Sequence, residues 1–252
     1  MALIEIAGTT RQIDLAIFDK DGTLVEFDRL WTGKLQRAVT AVMVQPGAVP
    51  ALEVALYQTL GVDHVSGKVI AESPLAVATL ARCGMVCATV LYQHGLPWHR
   101  AETLADQVFM PLITAPPVRA DLAPIGDLPA LFNRLKRAGL KLAICTSDDR
   151  LASQAGLDLL GISHLFDEMV CGDDPFPSKP APDGLLHLAR HFGVDPRRML
   201  MAGDSAGDML AGRNAGAGLT LGVLSGTGKA QGLAAHADVI VPDIHAILVA
   251  GG

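Results

Sequence analysis

The stretch Ile13-Asp14-Leu15-Ala16-Ile17-Phe18-Asp19-Lys20-Asp21-Gly22-Thr23-Leu24 decides how this chain is read. Its first half is a short apolar run of the kind that forms a buried strand. The run ends in two carboxylates, Asp19 and Asp21, separated by one residue and followed by a glycine suited to a tight turn. Such a strand end has a specific chemical use: Asp19 can attack a phosphorus atom while Asp21 handles the proton. An Asp-Gly turn that merely closes a strand is the plain alternative. The rest of the chain separates the two.

From about Leu122 onward, short apolar runs alternate with helical patterns. Helices are expected over Leu128–Ala138, Arg150–Leu160, Asp183–Phe192 and Ala206–Ala215. Between them lie strand candidates at Leu140–Cys145, Met169–Cys171, Met199–Ala202, Leu219–Leu224 and Val239–Val241. This alternation predicts an α/β fold with a parallel sheet covered on both faces, whose strand ends share one ligand-binding edge. Residues 26–119 contain no convincing strand. Helical spacing runs through Trp31, Leu35 and Val39, then Ala51–Leu60, then from Ser73-Pro74 to Gln93, then Trp98–Phe109. The expected organisation is therefore a catalytic core of residues 1–25 and 120–252 with an all-helical cap, 26–119, inserted after the first strand.

Composition sets the outer limits. The chain has 252 residues, half of them hydrophobic and 18% charged, which is enough for a substantial core. The net charge of -6 carries no basic stripe, so a nucleic-acid partner is not expected. No apolar stretch is long enough to span a bilayer, and the first dozen residues lack a secretory pattern, so no membrane partner and a cytoplasmic location are expected. Cys83, Cys87, Cys145 and Cys171 lack metal-site spacing and are read as packing residues, with Cys83 and Cys87 on one helix face.

Three further groups fall at the predicted strand ends. Thr146-Ser147 succeeds one strand and offers hydroxyls to phosphate oxygens; Asp204 succeeds another, and Asp208 lies on the next helix. Lys179 sits in the proline-rich stretch Pro177–Pro182. A carboxylate attacking a phosphate dianion faces repulsion, so positive charge is required. Mg²⁺ suits the all-oxygen donors Asp19 and Asp204, with Asp208 ligating it or holding a coordinated water, while Lys179 adds a second cation. Backbone N–H groups around Asp21 and Gly22 are expected to serve the phosphate oxygens. Asp19 would carry the phosphoryl group, and Asp21 would protonate the leaving alcohol and then activate water. Each element alone also fits a cap or a solvated surface residue; together they favour chemistry.

These residues resemble the four motifs of the haloacid dehalogenase superfamily: Asp19-x-Asp21-Gly22-Thr23-Leu24, Thr146, Lys179-Pro180 and Gly203-Asp204-Ser205-x-x-Asp208. The helical insertion resembles the cap of the phosphoglycolate-phosphatase-like branch. The resemblance implies a Rossmann-like core, a Mg²⁺-dependent phosphatase acting on a small phosphorylated metabolite, and metal ligation by the Asp21 main-chain carbonyl. Dehalogenases of the superfamily lack the acid–base aspartate, so Asp21 argues against that chemistry. A phosphomutase, a phosphonatase using a cap lysine imine, and a non-enzymatic binding protein are the rival readings.

Substrate selection is assigned to the cap. Its cations are Arg29, Lys34, Arg37, Lys68, Arg82, Arg100 and Arg119, with His64, His94 and His99; Lys34, Arg37 and Lys68 are the favoured contacts. Gly226-Thr227-Gly228-Lys229 lacks the first glycine and the hydroxyl of a nucleotide loop and is read as an ordinary loop. His236 and His245 have no partnering ligands nearby in sequence.

Overall fold

The computed structural model describes residues 2–63 and 66–250, so His64 lies outside the described residues. Two strands lie ahead of the Leu15–Phe18 run, β1 (Ala2–Ile6) and β2 (Thr9–Ile13). They form an antiparallel hairpin whose turn residues, Ala7 (φ 47°) and Gly8 (φ 79°), are both left-handed. That turn geometry matches the natural twist of paired strands. The sequence pattern does not predict this hairpin. It adds Ile4, Ile6 and Ile13 to the core.

The main sheet is built from β3 (Leu15–Phe18), β4 (Lys141–Cys145), β5 (Glu168–Val170), β6 (Met199–Gly203), β7 (Leu219–Val223) and β8 (Val239–Val241). Its order is β5-β4-β3-β6-β7-β8 and every pairing is parallel. Period-two alternation divides its side chains between two apolar layers. Ala16, Phe18, Leu142, Ile144, Leu200 and Ala202 face one side with the hairpin, α7 (Leu128–Arg137) and α8 (Arg150–Leu159). Leu15, Ile17, Ala143, Cys145, Met199 and Met201 face the other, against α9 (Asp183–Phe192) and α10 (Ala206–Ala215). A short α11 (Ala230–Ala234) comes after β7, and β9 (Leu248–Val249) pairs back onto β1.

The inserted helices are α1 (Phe27–Met43), α2 (Pro50–Leu60), α3 (Pro74–Val77), α4 (Leu80–Gln93), α5 (Trp98–Leu104) and α6 (Met110–Ile113). They bury an apolar cluster of their own that includes Leu35, Val39, Leu56, Cys83, Cys87 and Phe109. Cys83 and Cys87 therefore share a packed face, and both are free thiols. The expected single helix from Pro74 to Gln93 is broken, because Ala78 and Thr79 are extended (ψ 157° and 152°). In one straight helix Leu75 and Leu80 would point about 140° apart. The break lets both be buried. Between α5 and α6, Ala105–Phe109 forms a widened π turn in which Met110 N–H donates to the Ala105 carbonyl. Pro111, which lacks an N–H and crowds the preceding turn, accounts for it.

Two chain segments link the helices to the sheet and run side by side. Glu26 N–H donates to the Ala123 carbonyl (2.9 Å) and Ile125 N–H to the Leu24 carbonyl (2.9 Å). Arg37 makes a paired contact with the Asp121 carboxylate at 3.1 and 2.8 Å, tying α1 to the returning segment. Among the described residues no helix is long and apolar enough to cross a membrane.

Candidate active site

Strand order puts the chemistry in one place. β3 is flanked by β4 and β6, with Phe18 in register with Ile144 and Ala202. Residues at the C-terminal ends of these strands therefore emerge together, and Asp19 N–H is fixed by the Ala202 carbonyl at 2.8 Å. Asp19, Asp204 and Asp208 each present a carboxylate oxygen within 4.8 Å of the other two, and all three are buried. Lys179 Nζ binds Asp19 Oδ1 (2.7 Å), Asp208 Oδ1 (2.5 Å) and the Cys145 carbonyl (3.1 Å). Asp208 Oδ2 accepts from Ser205 N–H (3.0 Å) and Ser205 Oγ–H (2.6 Å), a reciprocal cap at the start of α10.

Three buried carboxylates share one ammonium, and the proton affinities reflect it. Burial first, then the neighbouring Asp208 and Asp204, push the Asp19 carboxyl well above its usual range, with Lys179 opposing. Burial and Asp208 push Asp204 up to about 7. Burial works against the Lys179 ammonium, but Asp19 and Asp208 more than offset this and raise it. A buried, oxygen-only donor set with excess negative charge fits a hard divalent cation.

Asp21 does not join that cluster. Its Oδ1 is paired with the Lys20 ammonium, which also reaches Asp148 Oδ2 at 3.0 Å. Its Oδ2 accepts from the indole Nε1–H of Trp31 at 3.1 Å. The metal contact that the family resemblance implies for this residue is made by its main-chain carbonyl, not by its carboxylate. Burial raises the Asp21 carboxyl, tempered by Lys20.

Gly22 differs from expectation. Its N–H donates to the Val25 carbonyl (2.7 Å) and its carbonyl accepts from Ser225 Oγ–H (2.7 Å), so its amide is spent on the turn and not on a phosphate oxygen. The residue is there for space: φ is +88° and a Cβ would lie 2.6 Å from Asp204 Oδ2. Thr146 lines the cavity, and its Oγ1 also accepts from Asp148 N–H at 3.2 Å. Ser147 lines it too. Neither caps α8, which starts after Asp149 with no side-chain cap.

The loop after β7, read as ordinary from sequence, touches the site. Thr227 N–H donates to Asp204 Oδ2 at 2.7 Å, and a Cβ on Gly226 would lie 2.0 Å from the same oxygen. Sequence reasoning also missed Lys20, Asp148 and Trp31. The usable signal for the loop was strand adjacency: β7 lies beside β6, so the loop leaving β7 must meet the segment leaving β6.

Over the aspartates is a cavity of about 360 Å³, walled by the core residues Asp19, Asp21, Thr146, Ser147, Lys179, Asp204 and Asp208 and by inserted residues. The latter are Phe27, Trp31 and the segment Glu72, Leu75–Ala78, Leu80 and Arg82. The favoured cap cations are elsewhere. Lys34 is buried behind Trp31, Arg37 is paired with Asp121, and Lys68 is exposed away from the cavity wall. Among the described residues, Arg82 is the inserted cation on that wall.

The chain is similar to known proteins in sequence and fold. Residues 13–216 match the haloacid dehalogenase-like hydrolase family, and the chain belongs to it. It is 28% identical to a phosphoglycolate phosphatase of Agrobacterium fabrum over 233 residues, covering 92% of this chain and 90% of that one. It is 30% identical to a phosphoglycolate phosphatase of Escherichia coli, covering 93% and 91%. A solved haloacid dehalogenase-like family protein from Streptococcus pneumoniae has the same fold, with a TM-score of 0.61 at 20% identity over 91% of this chain and 93% of its own.

Proposed function

We propose that this chain is a Mg²⁺-dependent phosphatase that hydrolyses a small phosphate monoester through an aspartyl-phosphate on Asp19. The observation that carries the reading is the convergence of Asp19, Asp204, Asp208 and Lys179 at the foot of the cavity. Asp19, Asp204 and Asp208 would hold Mg²⁺, which when bound supplies positive charge against the phosphate dianion. Lys179 holds Asp19 Oδ1, leaving Oδ2 as the attacking oxygen, and its ammonium faces the charge that develops in transfer. Thr146 and Ser147 offer hydroxyls to the phosphoryl oxygens. Asp21 gives a proton to the departing alcohol oxygen as its P–O bond breaks, then takes one from the water that cleaves the acyl phosphate.

The leaving group must fit under the 72–82 segment. Its wall is apolar except for Glu72 and Arg82, and the Arg82 guanidinium has no partner among the described residues. An alcohol carrying its own anion suits it, as the names of the relatives suggest. Because neither Lys34 nor Lys68 lines the cavity, an imine-forming cap lysine is not supported. The test is release of inorganic phosphate, equimolar with alcohol, from phosphoglycolate and an aryl phosphate in Mg²⁺. EDTA and Asp19→Asn are each expected to abolish it. Turnover by Asp19→Asn would sink the covalent route, and intramolecular transfer without phosphate release would sink the hydrolase assignment.

A further inference from the structure

We propose that Trp31, carried on the inserted helix α1, is a positioning residue for the acid–base carboxyl of Asp21, and that the buried Lys34 ammonium behind its ring belongs to the same device. The inference rests on the phosphatase reading above.

Trp31 does two things at once. It forms part of the cavity wall, and its Nε1–H donates to Asp21 Oδ2 at 3.1 Å. The other oxygen of Asp21 is taken by Lys20, itself anchored on Asp148. A carboxyl group offers about four acceptor sites. One donor on each oxygen fixes the plane of the group and leaves a position open toward the cavity, which Asp21 also lines. A proton on that position passes to the leaving oxygen as the P–O bond breaks. With Lys20 alone the carboxyl could still turn about its bond to Cβ; the indole removes that freedom.

Lys34 supplies the second observation. It is 1% exposed, and its Nζ has no hydrogen-bond partner. A buried ammonium without hydrogen bonds is costly and calls for a reason. Its Nζ lies 4.8 Å from the centroid of the Trp31 ring, with the charges of Asp148, Asp21 and Asp121 around it. A cation on the ring face draws density from the indole, which strengthens the N–H as a donor, and holds the ring in place. Burial lowers the proton affinity of Lys34 while these carboxylates oppose the shift. Because Trp31 and Lys34 ride on α1 and Asp21 on the turn that leaves β3, the acid is fully oriented only when the inserted helices are seated.

The test is Trp31→Phe, which keeps an aromatic ring in the wall and deletes the donor. The readout is kcat/KM, which covers the steps through loss of the alcohol, for an alkyl phosphate and for p-nitrophenyl phosphate. A nitrophenolate departs with little help from a proton; an alkoxide does not. The loss on the alkyl ester is expected to exceed that on the aryl ester by about tenfold or more. Lys34→Met should show the same selectivity to a smaller degree. Equal losses on both esters, or none on the alkyl ester, would overturn the positioning role, and an unselective Lys34→Met would remove Lys34 from it. A double-mutant cycle of Trp31→Phe with Asp21→Ala, which removes the acceptor, reads the contact in urea denaturation without turnover. Non-additive losses are expected, and additive ones would overturn it. A wild-type chain inert toward both esters would instead overturn the phosphatase reading, and the acid–base role with it.

Discussion

A Cβ on Gly226 would lie 2.0 Å from Asp204 Oδ2 and 2.4 Å from its Cγ. The neighbour that must give way is a buried carboxylate held by Thr227 N–H. Gly226→Ala is therefore expected to turn Asp204 out of its place and to weaken Mg²⁺ binding by roughly 10- to 100-fold, the range for disturbing a ligand's supporting contacts. The check is a Mg²⁺ titration by calorimetry with the fold confirmed by circular dichroism; an unchanged affinity would refute it. Individual residues divide by how their role is encoded. Asp19, Thr146, Asp204 and Asp208 are legible because each succeeds an apolar strand or opens a helix in chain order, and Lys179 because it sits among prolines that hold an extended or turned backbone. Trp31 and Thr227 are not, because their partners Asp21 and Asp204 reach them only through tertiary packing. The Ser225–Gly228 loop fails a nucleotide-loop pattern, and its glycines provide something that pattern does not describe, room beside Asp204.

Among the elements, the strand–helix alternation tracks apolar runs closely, because strands such as β3 and β6 are buried on both faces and read as unbroken apolar segments. The N-terminal hairpin reads differently. Ala2, Ile4 and Ile6 alternate with Leu3 and Glu5, the pattern of a strand buried on one face, and the Ala7-Gly8 turn lacks the usual Asn or Asp. Ile4 is nonetheless fully buried in the core. Ile4→Ala should cost about 2–5 kcal/mol in urea denaturation. A loss below about 1 kcal/mol would mean the hairpin is not part of the cooperative core. The α3–α4 break has a functional counterpart. It brings Ala76, Val77 and Leu80 onto the cavity wall beside Leu75, Ala78 and Arg82, whereas in a continuous helix only the last three would share a face. Arg82→Ala is expected to raise KM for phosphoglycolate about tenfold or more while leaving KM for phenyl phosphate, whose leaving group carries no second anion, little changed, given the worth of a charge-assisted hydrogen bond. Equal effects on both substrates would remove Arg82 from recognition of the leaving group.

For the molecule as a whole, the aspartate cluster makes stability a function of pH and metal together. Asp204 has an ordinary value of 3.8 and is held at about 7 in the metal-free fold by burial and Asp208. Between those values the folded chain binds more protons at this group than the unfolded chain does. The contribution is thus fully present below about 4 and lost as pH rises through about 7, since the slope of stability with pH is negative wherever the native state holds the extra proton. Asp19 acts in the same direction. In EDTA, the wild-type chain should lose thermal stability from pH 5 to 7.5 relative to Asp204→Asn, which has no such proton to surrender. Comparing the two chains cancels the groups that titrate alike in both. Bound Mg²⁺ would reverse the preference, because ligation favours the ionised carboxylates and protons compete with it. At about 100 times its dissociation constant, Mg²⁺ should stabilise the wild-type chain by about 2.7 kcal/mol above pH 7. That gain should shrink as pH falls toward 5, and Asp204→Asn should forgo most of it at every pH. Parallel melting curves for the two chains across this pH range in EDTA would show that Asp204 is ionised in the metal-free fold. The cluster would then owe its order to Lys179 rather than to protons that a metal ion must displace.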